Sequence, residues 1–445
     1  MNQQLTHLGT KATPPNRSLG ILSLGTLLVC AHYGLGFILG TAEQSIAIGV
    51  AGSLYAVSLG IGFLMLLFLV KFYWQSVDQI WTLLGNRYGQ PVKLGIALMS
   101  WISLIGIEAV QMIAATTILG IVGFPEIPTM IGLTVLFCIL SLLPVERASQ
   151  IFRGLLLFNI ATLLYALWRL DSLSELLSAP VQFLPDLYQA DWYHQLGIFI
   201  STILMVMIDM KCQQFIVQAK TVRVAYWSCI LAGITLCLLA FLPTAVVMAG
   251  QHRGILPERL SSKEILPYIL SWLGGGSDRW QGVLWILALA IPALGIGSNI
   301  LRIQTKTILD LNIISPNLRH RQVWVAVINA LLALSVALRG GEIVNLILNF
   351  YAAYLSSVWI PFIAYLLAHG KRYVFSQRSV RFSLLTGAIA SVATLGITLL
   401  HPEAIFFHSS ELTIIAVGMG ISCTTLFFTQ ALETYRTMYS SQEEM

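Results

Sequence analysis

Long apolar runs separated by short polar stretches recur from residue 20 to residue 434. An α-helix needs roughly 20 apolar residues to cross the hydrocarbon core of a bilayer. The pattern predicts spans near 20–45, 51–73, 94–122, 128–145, 150–169 and 194–217. Six more follow near 223–249, 280–308, 321–338, 343–369, 382–400 and 412–434. The expected fold class is an all-α polytopic membrane protein with about 12 transmembrane helices. The longest polar connections are 170–193 and 250–279.

One apolar run is unlike a plain membrane helix. Gly34, Gly36 and Gly40 fall within seven residues and weaken a helix there. Glu43 and Gln44 follow at a depth where lipid is expected. Irregular backbone at membrane depth is tolerated where it is buried in protein or lines a watery cavity. Broken helices of this kind build the binding sites of secondary transporters. The stretch therefore reads as a solute site, against the plainer alternative of an interfacial helix end.

Lys and Arg gather in alternate connections, which sets orientation. With a cytoplasmic N-terminus, eighteen of the 25 fall in inner loops and tails, six in outer loops, and Lys211 inside a span. Both termini are expected in the cytoplasm, in a plasma or inner membrane. Residues 1–18 are polar and lack the apolar core of a signal peptide, so the first apolar run should be retained as a span.

Composition agrees. The chain is 57% hydrophobic and 10% charged, against about 25% charged in a soluble domain. The net charge of +5 is scattered between apolar runs, which speaks for basic loops and against a nucleic-acid surface. The six cysteines form no CxxC pair and read as buried apolar residues, with no metal site expected. No catalytic motif occurs, so no catalytic residues and no enzyme activity are expected.

Ionisable residues inside spans are costly and each needs a reason. Glu108 and Gln111 lie three apart on one face of the third span. They either line a vestibule, with Glu108 carrying a proton, or hold helices together. Asp209 and Lys211 interrupt the sixth span, with Gln213 and Gln214 just after. Residues i and i+2 do not face each other on a helix, so a direct Asp209–Lys211 pair requires a break. In the eighth span, Pro292, Gly295 and Gly297 allow a kink, and Ser298 and Asn299 either contact an ion or serve packing. His32 is the one histidine well inside a span; with no ligand partner at useful spacing, it reads as structural.

Several stretches in order resemble the sodium:solute symporter family. These are Gly40-Thr41-Ala42-Glu43, Thr82–Gly89, Gln213–Lys220, the eighth span ending at Leu309-Asp310, and Pro361 in the tenth. The resemblance covers about residues 20–390. It implies a LeuT-like fold of two inverted five-helix repeats, 20–169 and 194–369, with solute held between broken first and sixth helices. Tails at 1–19 and 435–445, an extracytoplasmic loop at 170–193 and two peripheral helices at 370–434 complete the division.

The resemblance places a small polar solute against Gly36, Gly40, Glu43, Gln44, Asp209 and Gln213. It places ion coupling at Phe37, Gly40, Glu108 and Ser298. The family's sodium site takes two adjacent hydroxyl residues on the eighth helix, and here those positions are Leu294 and Gly295. A hard cation wants several oxygen ligands. Sodium at a degraded site, protons through Glu43, Glu108 or Asp209, and no coupling ion all stay open. A second function class is a transport-inactive sensor or a membrane scaffold with a protein partner.

Overall fold

Apolar runs fold as helices because backbone N–H and C=O groups within a bilayer must be satisfied inside each segment. The structure, a computed structural model, describes residues 17–142, 145–257, 259–311, 320–401 and 403–443. The tail before residue 17 and Arg319 lie outside the described residues. Apart from one isolated bridge between Leu19 and Ala219, the regular structure there is helical.

The first expected span is two helices, α1 (Ile21–Cys30) and α2 (Leu35–Ile48). A 3₁₀ turn at Gly49–Ser53 leads into α3 (Leu54–Ser76), then the short α4 (Ile80–Tyr88). Next come α5 (Gln90–Gly120), α6 (Glu126–Ser141), α7 (Val145–Arg169) and α8 (Leu173–Gln189). A similar order then recurs. α9 (Trp192–Ile208) and α10 (Met210–Ile216) form a second broken pair. α11 (Val222–Leu239) runs on into α12 (Phe241–His252), and α13 (Ile265–Leu273) is short like α4. α14 (Trp280–Asp310), α15 (Arg321–Ala337) and α16 (Ile343–His369) complete this run, followed by α17 (Gln377–Leu400) and α18 (Ser410–Glu443).

Eight helical stretches among the described residues are long and apolar enough to cross a membrane, or nine if a pair bent by 103° at α7 and α8 is one span, which leaves the expected count of about twelve unconfirmed. α1, α6 and α15 have 10, 16 and 17 residues, short of the crossing length, and α2 and α3 follow one another through the turn at Gly49–Ser53. The polar connection 170–193 is also not a plain loop, since α8 occupies most of it. Leu173, Leu177, Val181, Leu184 and Tyr188 are exposed along one side of α8, while Ala179 and Phe183 are buried. That one-sided pattern suits a helix lying along an apolar surface.

α5 and α16 are buried over most of their apolar length and form the centre. α17 and α18 are only a third buried and lie at the edge. Serines join them, with Ser356 on α16 bonded to Ser391 on α17 at 2.6 Å and Ser383 on α17 to Ser422 on α18 at 2.8 Å. Such hydroxyl pairs and small residues let helices approach closely in lipid, where no hydrophobic force drives them together.

The turn after α2 is equally tight. A Cβ on Gly52 would collide with the backbone N of Ser45 and lie 2.6 Å from its Cα. Backbone cannot swing away as a side-chain end can. Gly52→Ala should lower stability by about 1–3 kcal/mol, the usual cost of overpacking. A thermal melt of the full chain in detergent checks this; an unchanged midpoint would refute it.

A cavity between the two broken helices

Both breaks have local causes. Between α1 and α2, the Gly34 N–H donates to the His32 carbonyl at 3.0 Å, and Gly34 is extended (φ −119°, ψ −171°). No side chain caps α2, so its first N–H groups are left for water or a ligand. Between α9 and α10, Asp209 is extended (φ −63°, ψ 124°), and its Oδ1 accepts the Lys211 N–H at 2.7 Å. A carboxylate suits that cap because it meets orphan donors and the positive end of the helix dipole.

The other carboxylate oxygen of Asp209 is a hub. Its Oδ2 lies 3.3 Å from Lys211 Nζ, 3.4 Å from His32 Nε2 and 3.5 Å from the Tyr351 hydroxyl. The extended residue at the break brings Asp209 and Lys211 together, as a pair two residues apart requires. His32 Nδ1 faces the Leu28 carbonyl at 2.9 Å, and a carbonyl only accepts, so Nδ1 is the donor. Both ring nitrogens of His32 thus face acceptors. The last carbonyls of α9 are also served: Tyr73 donates to Met207 at 2.7 Å, and Tyr354 and Gln213 donate to Ile208 at 3.2 and 3.1 Å.

Beside this hub lies a cavity of 640 Å³. Its deep end is formed by Tyr33, Gly34, Gly36 and Phe37 of the first broken pair, with Gln111 and Tyr351. Lys211, Pro292, Gly295 and Asn299 wall it, and Trp81, Gln218, Lys306 and Asp310 stand toward one end of the bundle. Gln111 is buried, and its Oε1 has no hydrogen-bond partner. Its amide atoms lie 3.7 and 3.9 Å from where Cβ atoms on Gly34 and Gly36 would be. Arg302 braces the wall by donating to the Leu140 and Ser141 carbonyls at 3.1 and 3.0 Å, at the end of α6.

The opposite end is tied shut. Glu43 Oε2 accepts the Ile343 N–H at 3.0 Å, joining α2 to the start of α16. Asp186 on α8 accepts the Val50 N–H at 2.8 Å, and Lys263 donates to the Gly341 carbonyl at 2.6 Å. Ser45 and Ser53 both meet Thr244 of α12, at 2.9 and 2.8 Å.

The structure brings together some expected site residues and separates others. Gly36 and Phe37 line the cavity. Gly40 does not; a Cβ there would lie 2.8 Å from Val344, so its small size serves packing against α16. Glu43 belongs to the closed end, and Gln44 beside it is half-buried. The break itself lies at Ala31–Gly34, upstream of most of the polar stretch, because α2 is helical from Leu35 through Gln44. Asp209 sits behind the cavity wall as the hub. Gln213 holds α4, with Oε1 accepting the Ile80 N–H at 3.2 Å, and does not line the cavity. Glu108 is fully buried beside Gln304. Ser298 bonds back to the Leu294 and Gly295 carbonyls at 2.6 and 3.2 Å within its own helix.

Sequence reasoning set His32 aside and did not single out Tyr33 or Tyr351. The available signal was that His32 is the one histidine deep in an apolar span, and just before the glycines.

No family model matches the chain, and no curated protein does. Solved structures do. A Na+-coupled sialic acid symporter in a substrate-bound outward-open state aligns at TM-score 0.61 and 12% identity, over 94% of this chain and 91% of that one. A manganese transporter of Eremococcus coleocola aligns at TM-score 0.56 and 14% identity, over 98% of this chain and all of that one. At such identities the likeness is one of fold, and this chain has the all-helical fold of those two membrane transporters.

Proposed function

We propose that this protein is a secondary transporter that moves a small polar solute by alternating access, and that the structure is its inward-open state. The observation that carries the reading is the cavity bordered by both broken helices, open at one end and tied shut at the other. The open end carries Arg302 and Lys306, and the bias of Lys and Arg toward alternate connections supports reading that end as cytoplasmic. The recurring element order supports the two five-helix repeats of a LeuT-like architecture.

Charge and donors narrow the solute class. Among the described lining residues, Arg302 and Lys306 stand with one carboxylate, Asp310, while the Lys211 charge is met by Asp209. Such a surface concentrates anions. The uncapped start of α2 offers N–H donors to an acceptor group, as helix N-termini do. The unpartnered Gln111 Oε1 is an acceptor and suits a donor group elsewhere on the solute, such as a hydroxyl. The solute is a small organic anion, such as a carboxylate.

Sodium has little to hold it where the family binds it. Leu294 has no side-chain oxygen, Gly295 has no side chain, the Ser298 hydroxyl is already bonded, and Ile296 packs on Gly34. Uptake in proteoliposomes of a panel of labelled small carboxylates, with sodium or choline outside at several pH values, tests the reading. Saturable uptake of at least one carboxylate, equal in sodium and choline, is expected. Uptake of none by a well-folded protein would overturn the transport reading, and collapse in choline would overturn sodium independence.

A further inference from the structure

Where the two broken helices meet, negative charge accumulates. Ala31 is the C-cap of α1, and Asp209 is the C-cap of α9. Helix C-termini carry partial negative charge from unpaired carbonyls. The Asp209 carboxylate adds a full one, at 3% exposure. Such a junction calls for a cation, and half-helix ends of this kind coordinate coupling ions in transporters.

Here the chain itself supplies the cation. Lys211 Nζ lies 3.4 Å from the Ala31 carbonyl and 3.3 Å from Asp209 Oδ2, so one ammonium touches both breaks. The neighbouring oxygens are already engaged. Leu28 is met by His32, Met207 by Tyr73, and Ile208 by Tyr354 and Gln213. A free metal ion seeking several oxygens would find them occupied by side-chain donors.

We infer that the Lys211 ammonium is a tethered cation that bridges the two broken helices in place of a dissociable monovalent ion. This rests on the transporter reading and supplies a physical reason for its sodium independence. Lys211 is a positioning residue for the junction, and it is also one of the residues that line the cavity. The groups within reach of it are Asp209 Oδ2 and the Ala31 carbonyl, and His32 Nε2 and the Tyr351 hydroxyl approach the same Oδ2.

The test reads cations alone and needs no solute. Full-length protein in detergent is melted in sodium chloride, methylammonium chloride or choline chloride at equal ionic strength. The parent should melt at the same temperature in all three. Lys211→Met and Lys211→Gln should melt lower in choline and recover in sodium or methylammonium, because the vacated site then accepts a small cation. Lys211→Arg should show no such response. The double variant Asp209→Asn/Lys211→Met, which removes the carboxylate as well, should lose the response too.

A sodium-specific stabilisation of the parent would overturn the inference whether or not any variant folds. So would Lys211→Met and Lys211→Gln proteins that melt alike in all three salts. Failure of every solute in the uptake screen, with these melting results as expected, would overturn the transport reading and leave the tethered cation standing.

Discussion

Replacing Asp209 by alanine should destabilise the protein by about 3–5 kcal/mol, the cost of removing one partner from a buried ion pair. The carboxylate receives the Lys211 N–H, the Lys211 ammonium and the Tyr351 hydroxyl and faces His32 Nε2, all at or within 3.5 Å. Alanine leaves those donors without their acceptor and strips the cap from α10. Asp209→Asn keeps a cap oxygen and should cost less, so the order parent, Asn, Ala in melting temperature is the expected result. The lesion should also abolish uptake, because it loosens the junction of both broken helices. An alanine variant that melts like the parent would show that the hub does not hold the fold together.

Glu108→Met should have the opposite sign and raise stability by about 1–3 kcal/mol, the cost of a buried polar group left unsatisfied. Glu108 is 0% exposed. Its carboxyl lies beside the Gln304 amide, yet none of their four polar side-chain atoms makes a hydrogen bond of good geometry. Methionine fills similar space with no polar atom. The gain should come with a functional loss if Glu108 carries a proton during the cycle. Uptake driven by an imposed pH gradient, compared with exchange at equal pH, separates the two roles. A more stable variant with unchanged uptake in both assays would make Glu108 a packing residue, and a less stable one would show that its carboxyl is well paired.

Much of the site was legible as composition of segments and little of it as contacts. Asp209 and Lys211 stood out because charges interrupt an apolar run, and the requirement for a broken helix between them is met by the extended Asp209. Gly34 and Gly36 marked the first break to within a few residues. Glu43 shows the limit. Its charge at membrane depth was visible, but its partner, the Ile343 N–H, is 300 residues away and could not be read along the chain. Gly40 shows a related limit, since a glycine that relaxes a helix and one that admits a neighbouring helix look identical along the chain.

The sequence by itself determined that this is an all-helical membrane protein with polar interruptions in its first and sixth spans. Hydropathy and helix-breaking are local properties, summed over neighbours along the chain. Only the tertiary structure decided which interruptions face one another. The hub joins His32 to Asp209 across 177 positions and Tyr351 to Asp209 across 142. Such meetings depend on how helices pack and on which face each turns inward. Helix packing likewise decided that the cavity opens toward Lys306 and that the Lys211 ammonium reaches both the Ala31 carbonyl and the Asp209 carboxylate.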